Sequence, residues 1–479
     1  MKSFAKHFKI VFEKLFFGFS SLPPPSAPTS VKRRSGIMAC LEEGIYAQIW
    51  LTLTCGKFLV DLALLFGASA IHFSLINGLP FMAATAQLAG AYLVSRTGSR
   101  KRVIIPTAFI TRQLWWLILI LIIVPIENSV KIWTLIALLS FGNVLGQISG
   151  NAWLAWIGDL IPDQLRGRVI SARNGILILV ALAADFIFSQ MREYFGSEGR
   201  VNYLLICFGV AAFFGLKSIF AFKNQWEPRP HPAPAPQLSD LIRQSFRSRP
   251  IRKLLYALLL WNSAVGVATS FWTPHMIVNL KMSFTSIFTY TMIVTICTFL
   301  MSRFVWGAVI DRAGTLTVVL FCASIITTIP IFWLFISADD LSLLWCEAVV
   351  NGMMWSGFNV AIFNLPYFLL PKENRGYFLA VLAAGSGLAL GIGAVAGGVV
   401  AQIFSSLKFE LFGMTYINYH ITFVLSAVLR GSCLFLLRKI PDTRSRGLIF
   451  MFQVIGDGMT RVLTNPRLIL TSAAPRSKK

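Results

Sequence analysis

The chain has 479 residues, of which 56% are hydrophobic and 13% charged, with a formal net charge of +23. Soluble domains carry about a quarter charged residues, and a chain of this size cannot hide so much apolar surface in one aqueous core, so lipid is the solvent for most of it. The basic excess raises the question of a polyanion, but the Lys and Arg residues sit between apolar runs rather than along one stripe, which argues against nucleic acid as a partner.

In chain order, residues 2–19 place Phe4, Phe8, Val11, Phe12, Leu15 and Phe19 at helical spacing, with Lys2, Lys6, Lys9 and Lys14 largely on the other side. That pattern suits a helix lying on an anionic membrane surface, and the Pro/Ser run from Leu22 ends it as a spacer. Residues 1–43 are therefore expected to form a cytoplasmic amphipathic segment and a Pro-rich spacer.

Twelve apolar stretches follow, each near the ~20 residues needed to cross the hydrocarbon core. Spans 1 to 6 fall near 44–66, 70–94, 103–124, 131–155, 169–190 and 201–222. Spans 7 to 12 fall near 251–274, 283–306, 316–336, 341–363, 377–404 and 413–437. Between the two sets, 223–250 carries the stretch Glu227-Pro-Arg-Pro-His-Pro-Ala-Pro, which cannot be helical and reads as a stiff linker. The expectation is an all-α membrane protein with a six-helix bundle over 44–222, a second over 251–437 and a basic cytoplasmic tail over 438–479.

Short-loop charge sets the expected orientation. With both termini cytoplasmic, the inner segments hold Lys32, Arg33, Arg34, Arg96, Arg100, Lys101, Arg102, Arg166, Arg168, the linker cations and the tail. The outer loops then hold only Lys131, Arg192, Arg200, Lys281 and Lys408. Short outer loops and the absence of any N-x-[ST] sequon point toward a bacterial inner membrane. The seven cysteines show no C-x-x-C and no metal-ligand spacing, and read as small packing residues.

Two loop motifs recur. Ala91-Tyr-Leu-Val-Ser95-Arg96-Thr-Gly98-Ser-Arg100 after span 2 answers Gly307-Ala-Val-Ile-Asp311-Arg312-Ala-Gly314 after span 8. Pro162-Asp-Gln-Leu-Arg166-Gly167 after span 4 answers Pro371-Lys-Glu-Asn-Arg375-Gly376 after span 10. Ser95 and Asp311 are 216 residues apart and Pro162 and Pro371 are 209 apart, near-equal offsets that make the halves parallel repeats. The G-x-x-x-D-R-x-G pattern resembles the signature loop of the major facilitator superfamily (MFS), matched fully at 307–314. The resemblance covers roughly 40–440 and implies two pseudo-symmetric six-helix bundles and a transport role. It also implies that Arg96, Gly98, Arg100, Arg166, Asp311, Arg312, Gly314 and Arg375 belong to loops that govern conformational change. Ser95 departs from the family's Asp, which would shift the locking role to Asp311.

In that family spans 1, 4, 7 and 10 line a central cavity, and each of these carries a polar stripe. Span 1 has Thr54, Lys57 and Asp61; span 4 has Ser140, Asn143, Gln147 and Asn151. Span 7 has Asn262, Gly266, Thr269 and Thr273; span 10 has Glu347, Asn351, Trp355 and Asn359. Small polar residues also serve as glue between membrane helices, so a cavity role rests on the coincidence of all four stripes. Ionisable residues are the strongest individual candidates, because each costs a few kcal/mol within the bilayer. Lys57 and Asp61 stand at i,i+4 and are expected to pair, with a solute or proton breaking the pair during the cycle. Glu347 is a candidate proton carrier, and Arg112 must find the cavity or a carboxylate such as Asp61. Lys57 with Arg112 would favour an anionic or zwitterionic solute.

No P-loop, G-x-S-x-G or H-E-x-x-H occurs, which argues against an enzyme, a cofactor or transport driven by ATP on this chain. The reading is a secondary transporter of a small solute working by alternating access with ion or proton coupling. The alternative is a non-transporting membrane assembly factor or sensor.

Overall fold

The computed structural model describes residues 28–228, 249–369, 375–411, 414–440, 445–454 and 456. The amphipathic segment 2–19, most of the Pro-rich linker and the tail after 456 lie outside the described residues. Ten helices among those described are long and apolar enough to cross a membrane. The two remaining spans fall short for local reasons. Span 2 is divided into Ala70–Met82 and Gln87–Thr97 by a tighter 3-10 turn at Ala83–Ala86, which follows Pro80. Span 10, Ser342–Leu369, is 28 residues long, but Glu347, Asn351, Asn359 and Asn364 dilute its apolar character. Together these make the twelve membrane helices expected of two six-helix halves.

Several elements differ from their sequence reading. The first helix starts at Pro28 rather than near 44, so Lys32, Arg33 and Arg34 sit on a helix and not in a loop. It ends at Thr54, and a second helix runs Gly56–Leu65. Cys55 is extended (φ −128°, ψ 179°) and Gly56 has φ +58°, a left-handed backbone that only glycine adopts without strain. Span 7 is interrupted at a matching place: Arg249–Thr269 ends, a turn follows, and Trp272–Pro274 leads into a π-helix over His275–Asn279. Between spans 11 and 12, where a plain loop was expected, Lys408–Leu411 pairs antiparallel with Met414–Ile417, and span 12 is Asn418–Leu437.

By contact density the chain forms two compact units. The first comprises residues 1–235, 269–288 and 387–405; the second comprises 236–268, 289–386 and 406–479. The end of span 7 and the second half of span 11 therefore group with the first six spans. Two apolar clusters hold the first unit together. One gathers Phe58, Leu62, Trp115, Tyr203 and Phe208, and the other gathers Ile37, Ile104, Trp156 and Leu160. Spans 2 and 11 pack closely: a Cβ on Gly391 would lie 2.7 Å from the Gly78 carbonyl oxygen, and one on Gly398 would run into the Ser74 side chain.

Candidate functional site

The break in span 1 falls directly before Lys57. The expected Lys57–Asp61 pair does not form; each ion takes a partner from another span. Lys57 Nζ lies 2.8 Å from Asp185 Oδ1 of span 5 and donates to the Phe284 carbonyl at 3.0 Å. The rings of Phe58, Phe284 and Phe288 surround the ammonium at 5.5, 5.8 and 5.7 Å. Asp61 accepts from Arg192 Nε at 2.8 Å and pairs with Arg200 Nη2 at 2.9 Å, and Arg200 also bonds the Asp61 carbonyl at 2.7 Å. Residues four apart can pair only while neither finds a better match, and two guanidiniums outcompete one ammonium for a carboxylate. Nearby, Glu193 accepts the Thr285 amide at 2.7 Å. Spans 1, 5 and 6 and the segment after span 7 are thus tied by a largely buried set of ion pairs and hydrogen bonds on span 1.

A second network lies toward the other end of span 1. Arg112 does reach a carboxylate, but it is Glu43 at 2.9 Å rather than Asp61, and it also bonds the Ser218 hydroxyl. Arg173 approaches the other oxygen of Glu43 at 3.7 Å. Trp50 and Phe222 flank the Arg112 guanidinium, and Trp153 lies 4.8 Å from that of Arg173. All of these residues except Ser218 border a cavity of about 320 Å³.

The polar stripe of span 4 divides. Asn143 bonds its own helix at Leu139 and, with Thr54 of span 1, borders a separate cavity of about 230 Å³. Gln147 accepts from Gln87 at 2.8 Å and Asn151 donates to the Gln87 carbonyl at 2.8 Å, so these two hold span 4 to span 2. In the second unit Glu347 and Asn351 do come together. Tyr290 donates to Glu347 at 2.8 Å, and Asn351 donates to both Glu347 (2.9 Å) and the Tyr290 hydroxyl (3.0 Å). Asn262 bonds the Leu258 carbonyl of its own helix, and Asn359 is exposed.

In the repeated loops, Gly98 (φ +61°) and Gly314 (φ +95°) end their helices in the positive-φ region, which explains glycine at both. Arg100 is buried and paired with Asp159 at the end of span 4. Its amide, together with Ser99 Oγ (2.9 Å), bonds Glu227, so a linker carboxylate caps the start of span 3. Arg96, Asp311 and Arg312 are exposed, and Arg166 bonds the Gly158 carbonyl at 2.8 Å. Arg375 opens the helix Arg375–Ile403, and its side chain lies outside the described residues.

The family profile of the Major Facilitator Superfamily matches residues 45–367 and 297–474. The chain belongs to that superfamily. Solved MFS-fold structures agree in architecture. A mutant form of the nucleoside transporter NupG superposes with a TM-score of 0.62 at 15% identity, covering 84% of this chain and all (100%) of its own. A D-xylose–proton symporter gives 0.57 at 14%, covering 88% and 99%. A bacterial homologue of the human lysosomal transporter Spinster gives 0.55 at 14%, covering 92% and 99%. No curated protein matches by sequence. Membership places the chain among multi-pass membrane transport proteins and fixes the two-bundle MFS fold.

Sequence reasoning missed Glu43, Arg173, Arg192, Arg200 and Tyr290 as site residues. It also missed Arg430, a 2% exposed cation of span 12 that donates to the Ile326 carbonyl at 3.3 Å and lies 6.0 Å from the Trp355 ring. Arg430 had a visible signal, an arginine in the middle of an apolar run. Glu43 did not, because the first span reads as starting at 44.

Proposed function

We propose that the chain is a secondary active transporter that moves a small solute by alternating access, coupled to protons or another ion. The observation that carries this reading is the ionic network of Lys57, Asp61, Asp185, Arg192 and Arg200. A static scaffold has no need of Lys57, Asp61 and Asp185 inside membrane helices, where each ionisable group is costly. The network begins at the interruption of span 1, and span 7 is interrupted in a corresponding place. Paired interruptions of this kind mark binding sites in transporters built from repeats. Glu347, held by Tyr290 and Asn351, is the proposed proton carrier of the second half.

The domain organisation follows: bundles over 44–222 and 251–437, a linker over 223–250 and cytoplasmic ends. Three of the five cations assigned to outer loops have partners in the fold: Lys131 bonds the Ile122 carbonyl at 3.2 Å, while Arg192 and Arg200 hold Asp61. The short-loop and tail cations are far more numerous on the proposed cytoplasmic side, which supports termini inside and, with the short outer loops, a bacterial inner membrane. The proposed gating residues are Arg96, Gly98, Arg100, Arg166, Asp311, Arg312, Gly314 and Arg375.

Flux of a solute panel into proteoliposomes tests the network. Lys57→Ala and Asp61→Asn should each abolish or strongly slow flux of the transported solute. Wild-type rates in both variants would remove the network from the transport cycle.

A further inference from the structure

The cavity beside Glu43 has features that packing does not require. It is bordered by spans 1, 3, 4, 5 and 6, all within the first compact unit. Its charged residues are Glu43, Arg112 and Arg173, two cations to one carboxylate. Two indoles on its border, those of Trp50 and Trp153, carry an Nε1–H with no acceptor among the described residues. The two guanidiniums are stacked on rings of the same border, Arg112 on Trp50 and Phe222 and Arg173 on Trp153, which holds both charges beside the cavity. The approach of Arg173 is built in at Gly44, where a Cβ would lie 2.6 Å from Arg173 Nη2. A side chain at position 44 would make the guanidinium shift from this place.

We infer that this cavity binds an amphipathic organic monocarboxylate, an inference that rests on the transporter reading only if the ligand is also the cargo. Charge sets the class. With Glu43 ionised, the site carries one uncompensated positive charge, which a single carboxylate neutralises and a phosphate dianion would overshoot. Arg173, 3.7 Å from Glu43 and so the more loosely held of the two cations, is the charge-assisted donor for the ligand carboxylate. The rest of the border, Leu51, Ile104, Ala108 and Leu177 among it, suits an apolar or aromatic body. A volume of about 320 Å³ falls in the range of small-molecule pockets and has room for a small aryl acid such as phenylacetate.

The test is calorimetry on the full chain in nanodiscs with phenylacetate, its neutral isostere phenylacetamide, laurate and inorganic phosphate. Phenylacetate should bind at least tenfold more tightly than the amide. Arg173→Gln should remove that preference, and Trp153→Leu, which deletes the ring that positions the Arg173 guanidinium, should weaken phenylacetate several-fold. Laurate binding with the same Arg173 dependence would support the carboxylate site and assign its source to the bilayer. Equal binding of acid and amide, binding of phosphate alone, no binding by either acid, or a preference that survives both substitutions would overturn the inference. Flux measured on the same preparations separates the two readings. Binding without flux of phenylacetate or laurate counts against transport of that ligand and leaves the site intact, whereas flux without binding removes the site and leaves transport.

Discussion

Replacing Lys57 by Met isolates the energetics of the buried network. At 2.8 Å the Lys57–Asp185 attraction is about 6 kcal/mol for an effective dielectric constant of about 20. Desolvation of two ions that are only 5% and 15% exposed offsets most of it. The net worth of the pair against apolar residues is therefore close to zero, while losing one partner strands a buried charge at about 3–5 kcal/mol. Lys57→Met and Asp185→Leu should each destabilise by that amount, and the double variant should recover most of it, giving a coupling energy of about 3 kcal/mol or more. Reversible unfolding in mixed micelles reads all four members of the cycle. Single variants within about 0.5 kcal/mol of wild type, or a double variant that shows the sum of the two losses, would refute the reasoning. The double variant also separates stability from transport, since it should fold well and still fail to move solute.

Three further outcomes follow. Glu347→Gln keeps an acceptor for Tyr290 and a partner for Asn351, so unfolding should shift by about 1 kcal/mol or less, yet the pH dependence of flux should flatten; an unchanged pH profile would acquit Glu347. Gly398→Val cannot be accommodated against Ser74, and should cost more than about 2 kcal/mol in micelle unfolding, with a stable variant contradicting the close contact of spans 2 and 11. Glu227→Ala removes the cap on span 3 and should cost about 0.5–2 kcal/mol, visible as faster amide exchange at Arg100 and Lys101, whereas unaltered exchange would show that the linker does not hold that helix.

The fold was legible because its signals are long and repetitive. Apolar runs of membrane length, loop cations and two motifs at near-equal offsets each point to the same two-bundle architecture, and errors of several residues at helix ends leave that unchanged. What the sequence concealed is local and tertiary. The interruption at Cys55-Gly56 lies inside an apolar run, and one glycine in such a run is common. Pairing was misjudged for the same reason: i,i+4 spacing identifies neighbours on one helix, but Asp185, Arg192 and Arg200 come from spans far away in sequence and win on geometry. Gln147 and Asn151 have the spacing of a cavity stripe, yet they bond span 2, because hydrogen-bonding glue and cavity lining leave the same pattern in sequence. Glu347 and Asn351 share one face of span 10 by their spacing and do bond each other, while their third partner, Tyr290 of span 8, leaves no such local signal.

Solute flux into proteoliposomes, measured with and without an imposed pH gradient, tests the central claim most directly. The account predicts that at least one small solute, organic monocarboxylates included, is accumulated against its gradient when a pH gradient is imposed, and that a protonophore abolishes the accumulation. A chain that is correctly folded and inserted, carries no solute of the panel under any gradient, and instead copurifies in a stable complex with another membrane protein would contradict it.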